Sequence, residues 1–265
     1  MNSIDSHTYA LTSGQSPKTE GHFGAILAIY LLGLLIGGLY VGLVAPIRTV
    51  VQAGFGIDDS SGIWMINIYT LFYAALIPVI GSLADRYGRK IVYTTCVALF
   101  AAGSALCGIS ASVGGFGLLL FGRVVQAIGA GGMIPVASAE IGTSFPLEKR
   151  GMALGIAAAV VGISNVLGAG VGSFIVGLVG VQNWAVAFYF ALPFCVAIII
   201  AALVFLPNHT VETKGSLDLV GSAVLVVFVL ALLLGLKDID FFNFAASISQ
   251  PAAWIPLAVA VLGNH

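Results

Sequence analysis

Between positions 85 and 90 the chain places Asp85, Arg86, Arg89 and Lys90, four charges in six residues, although charged residues are only 8% of the whole. Uncharged apolar runs flank them, Gly62 to Ala84 before and Ile91 to Gly122 after. Each run exceeds the roughly 20 residues an α-helix needs to cross a bilayer. At mid-bilayer the four charges would cost about 2.5–3.5 kcal/mol each, so the stretch must be a tight turn at the membrane surface. Gly81 is expected to let the incoming helix end close to its neighbour, and Gly88 to supply the positive φ that so short a reversal needs.

The rest of the chain repeats this alternation. Hydrophobic residues are 59% of 265, well above the 45–50% of a soluble domain, which makes this an all-α polytopic membrane protein. A net charge of −1 with no basic patch excludes nucleic acid as a partner. Cys96, Cys107 and Cys195 all fall inside apolar runs and read as small buried hydrophobes, without disulfide or metal spacing.

In order, residues 1–22 read as a polar, disordered cytoplasmic tail. The tail lacks the basic leader of a signal peptide, so the first apolar run is expected to stay attached. Span one is Gly24 to Pro46, with Gly33, Gly37, Gly38 and Gly42 in small-x-x-x-small pairs suited to close helix packing. Arg48 to Asp59 is expected to be the first outer loop. Span two opens near Trp64, span three covers Ile91 to about Ser112, and span four about Phe116 to Glu140. After the charged turn Phe145 to Gly151, span five runs to about Gly180, and Trp184 to Pro207 is span six. Residues 23–207 thus form a six-span bundle, 208–218 a cytoplasmic connector, and 219–265 a seventh span (Leu219 to Leu236) plus a run too short to cross. The expected reading is a fragment that stops inside an eighth span.

Orientation follows from the basic residues. With the tail inside, Lys18, Arg86, Arg89, Lys90, Lys149, Arg150 and Lys214 are cytoplasmic, and only Arg48 and Lys237 face out, the positive-inside asymmetry. Asn208-His209-Thr210 fits a glycosylation sequon but falls on the cytoplasmic side.

Arg123 is the one basic residue well inside an apolar span. A lone intramembrane cation faces a cavity or a partner, which makes it a functional candidate; the plain alternative is a structural arginine bonding backbone carbonyls. Counting 1.5 Å per residue, Tyr40, Asn67 and Arg123 share a layer roughly 10 Å from the outer edge. Tyr30, Gln126 and Asn165 are further polar cavity candidates, or else satisfied polar groups between packed helices. Glu140 lies about 25 Å deeper than Arg123, near the Asp85 turn. A surface ion-pair cluster of Asp85, Arg86, Arg89 and Glu140 is expected there, with a merely solvated cluster as the alternative.

Several of these stretches have a recognisable wording. Gly81, Leu83, Ala84, Asp85, Arg86, Gly88, Arg89 and Lys90 match the G-x-L-A-D-R-x-G-R-K signature between the second and third helices of the major facilitator superfamily of secondary transporters. Arg123-Val124-Val125-Gln126-Ala127-Ile128-Gly129 resembles that superfamily's fourth-span R-x-x-Q-G motif, with Ala127 in place of glycine. Gly168-Ala169-Gly170-Val171-Gly172-Ser173 resembles the G-P-x-x-G-G antiporter motif, departing from it at Ala169 and Ser173. Asn183-Trp184-Ala185-Val186-Ala187-Phe188 with Pro193 follows the W-R-W-x-F…P pattern of fourteen-span drug–proton antiporters without its arginine.

The resemblance implies an N-terminal half built from inverted three-helix repeats, rocking against a second half encoded downstream. It assigns Arg123 to proton or substrate coupling, and the Asp85 cluster to a latch whose aspartate faces a helix N-terminus of the other half. The expected function is proton-coupled export of a small amphipathic or drug-like solute across the plasma membrane. A polar-metabolite facilitator or importer and a non-transporting scaffold or sensor are the alternatives. No phosphate-binding loop, H-E-x-x-H or Ser/His/Asp set is present, and His7, His22, His209 and His265 lie outside the spans. No cofactor and no enzymatic activity are expected.

Overall fold

The computed structural model describes residues 23–207 and 219–237. The expected tail, the 208–218 connector and the last apolar run lie outside the described residues. Within them the chain is helical: α1 (Phe23–Phe55), α2 (Asp59–Gly62), α3 (Trp64–Tyr87), α4 (Arg89–Val113), α5 (Phe116–Ser144), α6 (Leu147–Val179), α7 (Ala185–Tyr189), α8 (Ala191–Phe205) and α9 (Leu219–Lys237). Six segments are long and apolar enough to cross a membrane, with α7 and α8 together making the sixth.

The pairing of these spans follows an internal symmetry. Span one (α1) packs chiefly on span five (α6), and span four (α5) packs extensively on span two (α3) as well as on its sequence neighbour α4. Exchanging spans one to three with four to six turns the first pairing into the second. The same exchange relates the α4–α5 contact to the α1–α8 contact, and both occur. This is the pattern of two three-helix repeats. It puts α1 and α5 at the centre, while α6 leaves Ile163, Val166, Leu167, Phe174 and Leu178 exposed on its outer face. α9 lies against α3.

Glycines set how closely the central pairs approach. A methyl at Gly168 would collide with the Leu39 carbonyl oxygen, and one at Gly172 would come within 2.5 Å of the Leu43 oxygen. From the facing side, Gly42 abuts the Asn165 carbonyl. The antiporter-like glycines of span five are therefore where two helix backbones touch. Gly81 differs from expectation: a methyl there would meet Pro135 Cβ at 3.5 Å, ordinary contact, so close approach does not require glycine at that site. Gly88 alone separates α3 from α4, at φ 93° and ψ 134°.

Two boundaries shift from the expected ones. α1 continues through Pro46 to Phe55 instead of ending there. A proline removes one ladder bond, which packing against neighbouring helices tolerates in a span. The expected loop from Arg48 to Asp59 is therefore mostly helix. Arg48 reaches Asp59 at 2.7 Å and Gln52 donates to the same carboxylate at 3.2 Å, tying the α1 end to α2. Asp58 caps α2, accepting from the Ser61 amide and from the Ser60 hydroxyl, and these bonds hold its carboxyl below the usual range. Beyond Phe145 and Pro146 the expected charged turn is already the first turn of α6.

Candidate functional site

Arg123, one of the largest fully buried side chains, sits seven residues into α5. Its Nε donates to the Met65 carbonyl at 2.9 Å and its Nη1 to Gln126 Oε1 at 2.6 Å. Gln126 Nε2 in turn donates to Ser104 Oγ at 2.7 Å, and Ser104 donates to the Phe100 carbonyl one helical turn back. The guanidinium lies 3.9 Å from the centre of the Tyr69 ring, a cation–π contact of a kind worth about 2 kcal/mol when desolvated. Among the described residues no carboxylate pairs with Arg123. A chain of neutral groups on α3, α5 and α4 holds the cation.

The expected layer of Tyr40, Asn67 and Arg123 does not form one site. Asn67 is half-buried on α3 and is not one of Arg123's partners. Tyr40 turns toward span six. Its hydroxyl donates to the Ala187 carbonyl at 2.7 Å and accepts from the Ala191 amide at 3.0 Å, with the Phe188 carbonyl at 3.1 Å. The reason lies in the depth estimate, which fixes height along the membrane normal but not the direction a side chain leaves its helix. Tyr69 and Ser104 were missed. The available signal was spacing: Met65 and Tyr69 are four apart on one face of α3, directed at the arginine.

Asn165 is half-buried on α6. Its amide donates to the Val161 carbonyl at 3.1 Å, and its Oδ1 has no hydrogen-bond partner. Tyr30 is buried beneath Tyr93, their rings edge to face with centroids 4.7 Å apart. The Trp184 ring packs between Phe55 and Phe188, at 5.4 and 6.0 Å, where α1 ends.

At the other end of the bundle Arg89 makes the central contact. Its Nη1 is 3.1 Å from Glu140 Oε2 and also donates to Thr143 Oγ1, and its Nη2 is 3.7 Å from Asp85 Oδ1. Glu140, expected at the surface, is 1% exposed, because α5 runs one turn beyond it to Ser144. Asp85 keeps 59% of its side chain in the open. Arg86 stands apart from the cluster, 5.9 Å from the centre of the Tyr87 ring. Lys90 donates to the Leu203 carbonyl at 2.8 Å, and Arg150 to the Phe145 and Thr143 carbonyls at 2.7 and 3.1 Å. Both cations thus sit at helix C-termini, where the dipole favours them.

A buried arginine on neutral partners at one level and an ion cluster at the turn between spans two and three, in paired three-helix repeats, define a class of multi-span helical membrane proteins. The chain belongs to the Major Facilitator Superfamily, whose model matches residues 23–264. It is similar to the MFS-type transporter YfiU of Bacillus subtilis, 32% identical over 245 residues, covering 92% of this chain and 45% of that protein. Multidrug transporter protein MdtP of the same organism is 33% identical over 223 residues, covering 84% of this chain and 39% of the relative. The chain spans about half the length of the curated relatives it matches. In fold it resembles the human organic anion transporter MFSD10 (TM-score 0.57, 17% identity, 91% of this chain and 70% of that one). The D-xylose–proton symporter is similar to the same degree (TM-score 0.57, 15% identity, 92% and 66%).

Proposed function

We propose that this chain supplies one half of a secondary transporter that exports a small amphipathic or drug-like solute by proton antiport. The bundle would rock against a second six-span half by alternating access. The observation that carries the reading is Arg123, a fully buried cation held by a ring, a carbonyl and an amide. Because no anion among the described residues neutralises it, its energy responds to any charge that approaches it, whether a solute or a titrating group from outside these residues. Relatives named Multidrug resistance protein 3 and Multidrug transporter protein MdtP support the solute class. The charged turn would face the cytoplasm in the plasma membrane, with exposed Asp85 meeting a helix N-terminus of the second half when the carrier is closed on that side.

The test is solute-dependent proton flux in vesicles holding the complete gene product. Arg123→Ala and Arg123→Lys are both expected to lose solute-coupled flux. The lysine keeps the charge but lacks the planar fork that reaches Met65 and Gln126 together. Normal flux in Arg123→Ala would remove the coupling role.

A further inference from the structure

Two buried tyrosine hydroxyls occupy places where helices normally bond to themselves. In span six the regular ladder would join the Ala187 carbonyl to the Ala191 amide. Instead the Tyr40 hydroxyl of α1 stands between them, donating to the first at 2.7 Å and accepting from the second at 3.0 Å. The interruption between α7 and α8 falls at Phe190, inside that four-residue window. Pro193, which has no N–H, withholds the next bonds' support from the Tyr189 carbonyl. In span one a related construction recurs: the Tyr93 hydroxyl of α4 donates to the Ile29 carbonyl at 2.8 Å and lies directly against Gly33, whose amide is that carbonyl's regular ladder partner. Gly33 makes this possible, since a methyl there would overlap the Tyr93 hydroxyl. Both phenols are fully buried, Tyr93 against Tyr30 and Tyr40 against Phe100.

A side chain inserted into the i to i+4 ladder is a recognised cause of helix bending. Within a bilayer every opened backbone group must be re-satisfied, and here one hydroxyl serves both ends of the gap in span six. We infer that Tyr93 and Tyr40 are hinge pins that link spans three, one and six in series. Each hydroxyl holds open one ladder position in the next helix, so that the helix flexes there with its carbonyl and its amide both still satisfied. Opening and closing then exchange one hydroxyl-bridged pair for one direct bond, and bending of span six is set from span one. This holds whatever solute is carried.

The experiment uses the complete gene product in lipid nanodiscs, with spin labels on cysteines replacing exposed Val186 in α7 and Val204 in α8. Tyr40→Phe removes one oxygen and leaves the ring in place. The expected result is direct closure of the Ala187–Ala191 bond: a longer label-to-label distance, with the Ala191 amide still protected from hydrogen exchange by its new carbonyl partner. An unchanged distance, or faster exchange at Ala191, overturns the inference for span six. Tyr93→Phe reads span one independently and decides alone if Tyr40→Phe does not fold. With labels at exposed Ala28 and Ala45 of α1 in place of the span-six pair, a longer distance supports the pin and an unchanged distance overturns it.

Discussion

Arg123 and Arg89 are both drawn from motif-like stretches, both largely buried, and solved in opposite ways. Arg89 meets a carboxylate at 3.1 Å that is itself out of solvent, with a second one beside it. Arg123 meets none among the described residues and rests on a ring, a carbonyl and an amide. The first arrangement is a closed charge pair whose energy is indifferent to its surroundings. The second is an open cation, tolerated because its partners are polarisable and hydrogen-bonded, and sensitive to whatever charge approaches. The lesson is that burial alone does not mark a functional arginine; the kind of partner does.

The sharpest way to break this contrast is to make Arg89 resemble Arg123. Glu140→Gln leaves a buried guanidinium with only exposed Asp85 for charge. Removing one member of a buried pair costs about 3–5 kcal/mol, to be read as a large fall in thermal unfolding midpoint in detergent or nanodiscs. Arg89→Met combined with Glu140→Gln should recover much of that loss, since the penalty lies in the unpaired charge. If Glu140→Gln melts like the parent, the pair is not the closed unit described here.

Next in size are changes that strip Arg123 of its neutral support. Gln126→Leu removes the acceptor at Nη1 and the donor to Ser104 together, and a hydrogen bond to a charged group contributes about 1.5–3 kcal/mol. Tyr69→Leu removes the ring at 3.9 Å and should destabilise by about 2 kcal/mol through the lost cation–π contact. Adding Arg123→Met to Tyr69→Leu tests the pairing in a double-mutant cycle. Strict additivity would mean that ring and guanidinium do not interact.

Much of the bundle was legible in the sequence because bilayer crossing imposes a length and a polarity that few other constraints match. The six spans appear where the apolar runs lie, and the turn at Gly88 is where charges forbid anything else. What the sequence concealed was azimuth. Tyr40, Asn67 and Arg123 share a height, but Tyr40 leaves α1 toward span six while Arg123 leaves α5 toward Tyr69 on α3. Helix ends were hidden for a related reason: Pro46 and the run from Leu147 to Arg150 look like breaks, but neighbouring helices and capping side chains such as Arg150 hold them helical. A break was half hidden at Phe190: Pro193 removes one ladder bond in plain view, but the second interruption is a hydroxyl contributed about 150 residues earlier.

The smallest expected effect on folding separates structure from function most cleanly. Asp85 is 3.7 Å from Arg89 and mostly in the open, so screening and side-chain entropy leave Asp85→Asn with about 0–1 kcal/mol of stability to lose. Arg89 keeps Glu140 whatever happens at position 85, and the closed pair should survive intact. If the exposed carboxylate serves only this half, Asp85→Asn should transport as the parent does. If it engages a helix terminus of the proposed second half, transport by the complete gene product should fall severalfold with the unfolding midpoint unmoved. Flux and melting measured on the same preparation therefore decide whether Asp85 belongs to the Arg89 pair or to a surface completed elsewhere in the carrier.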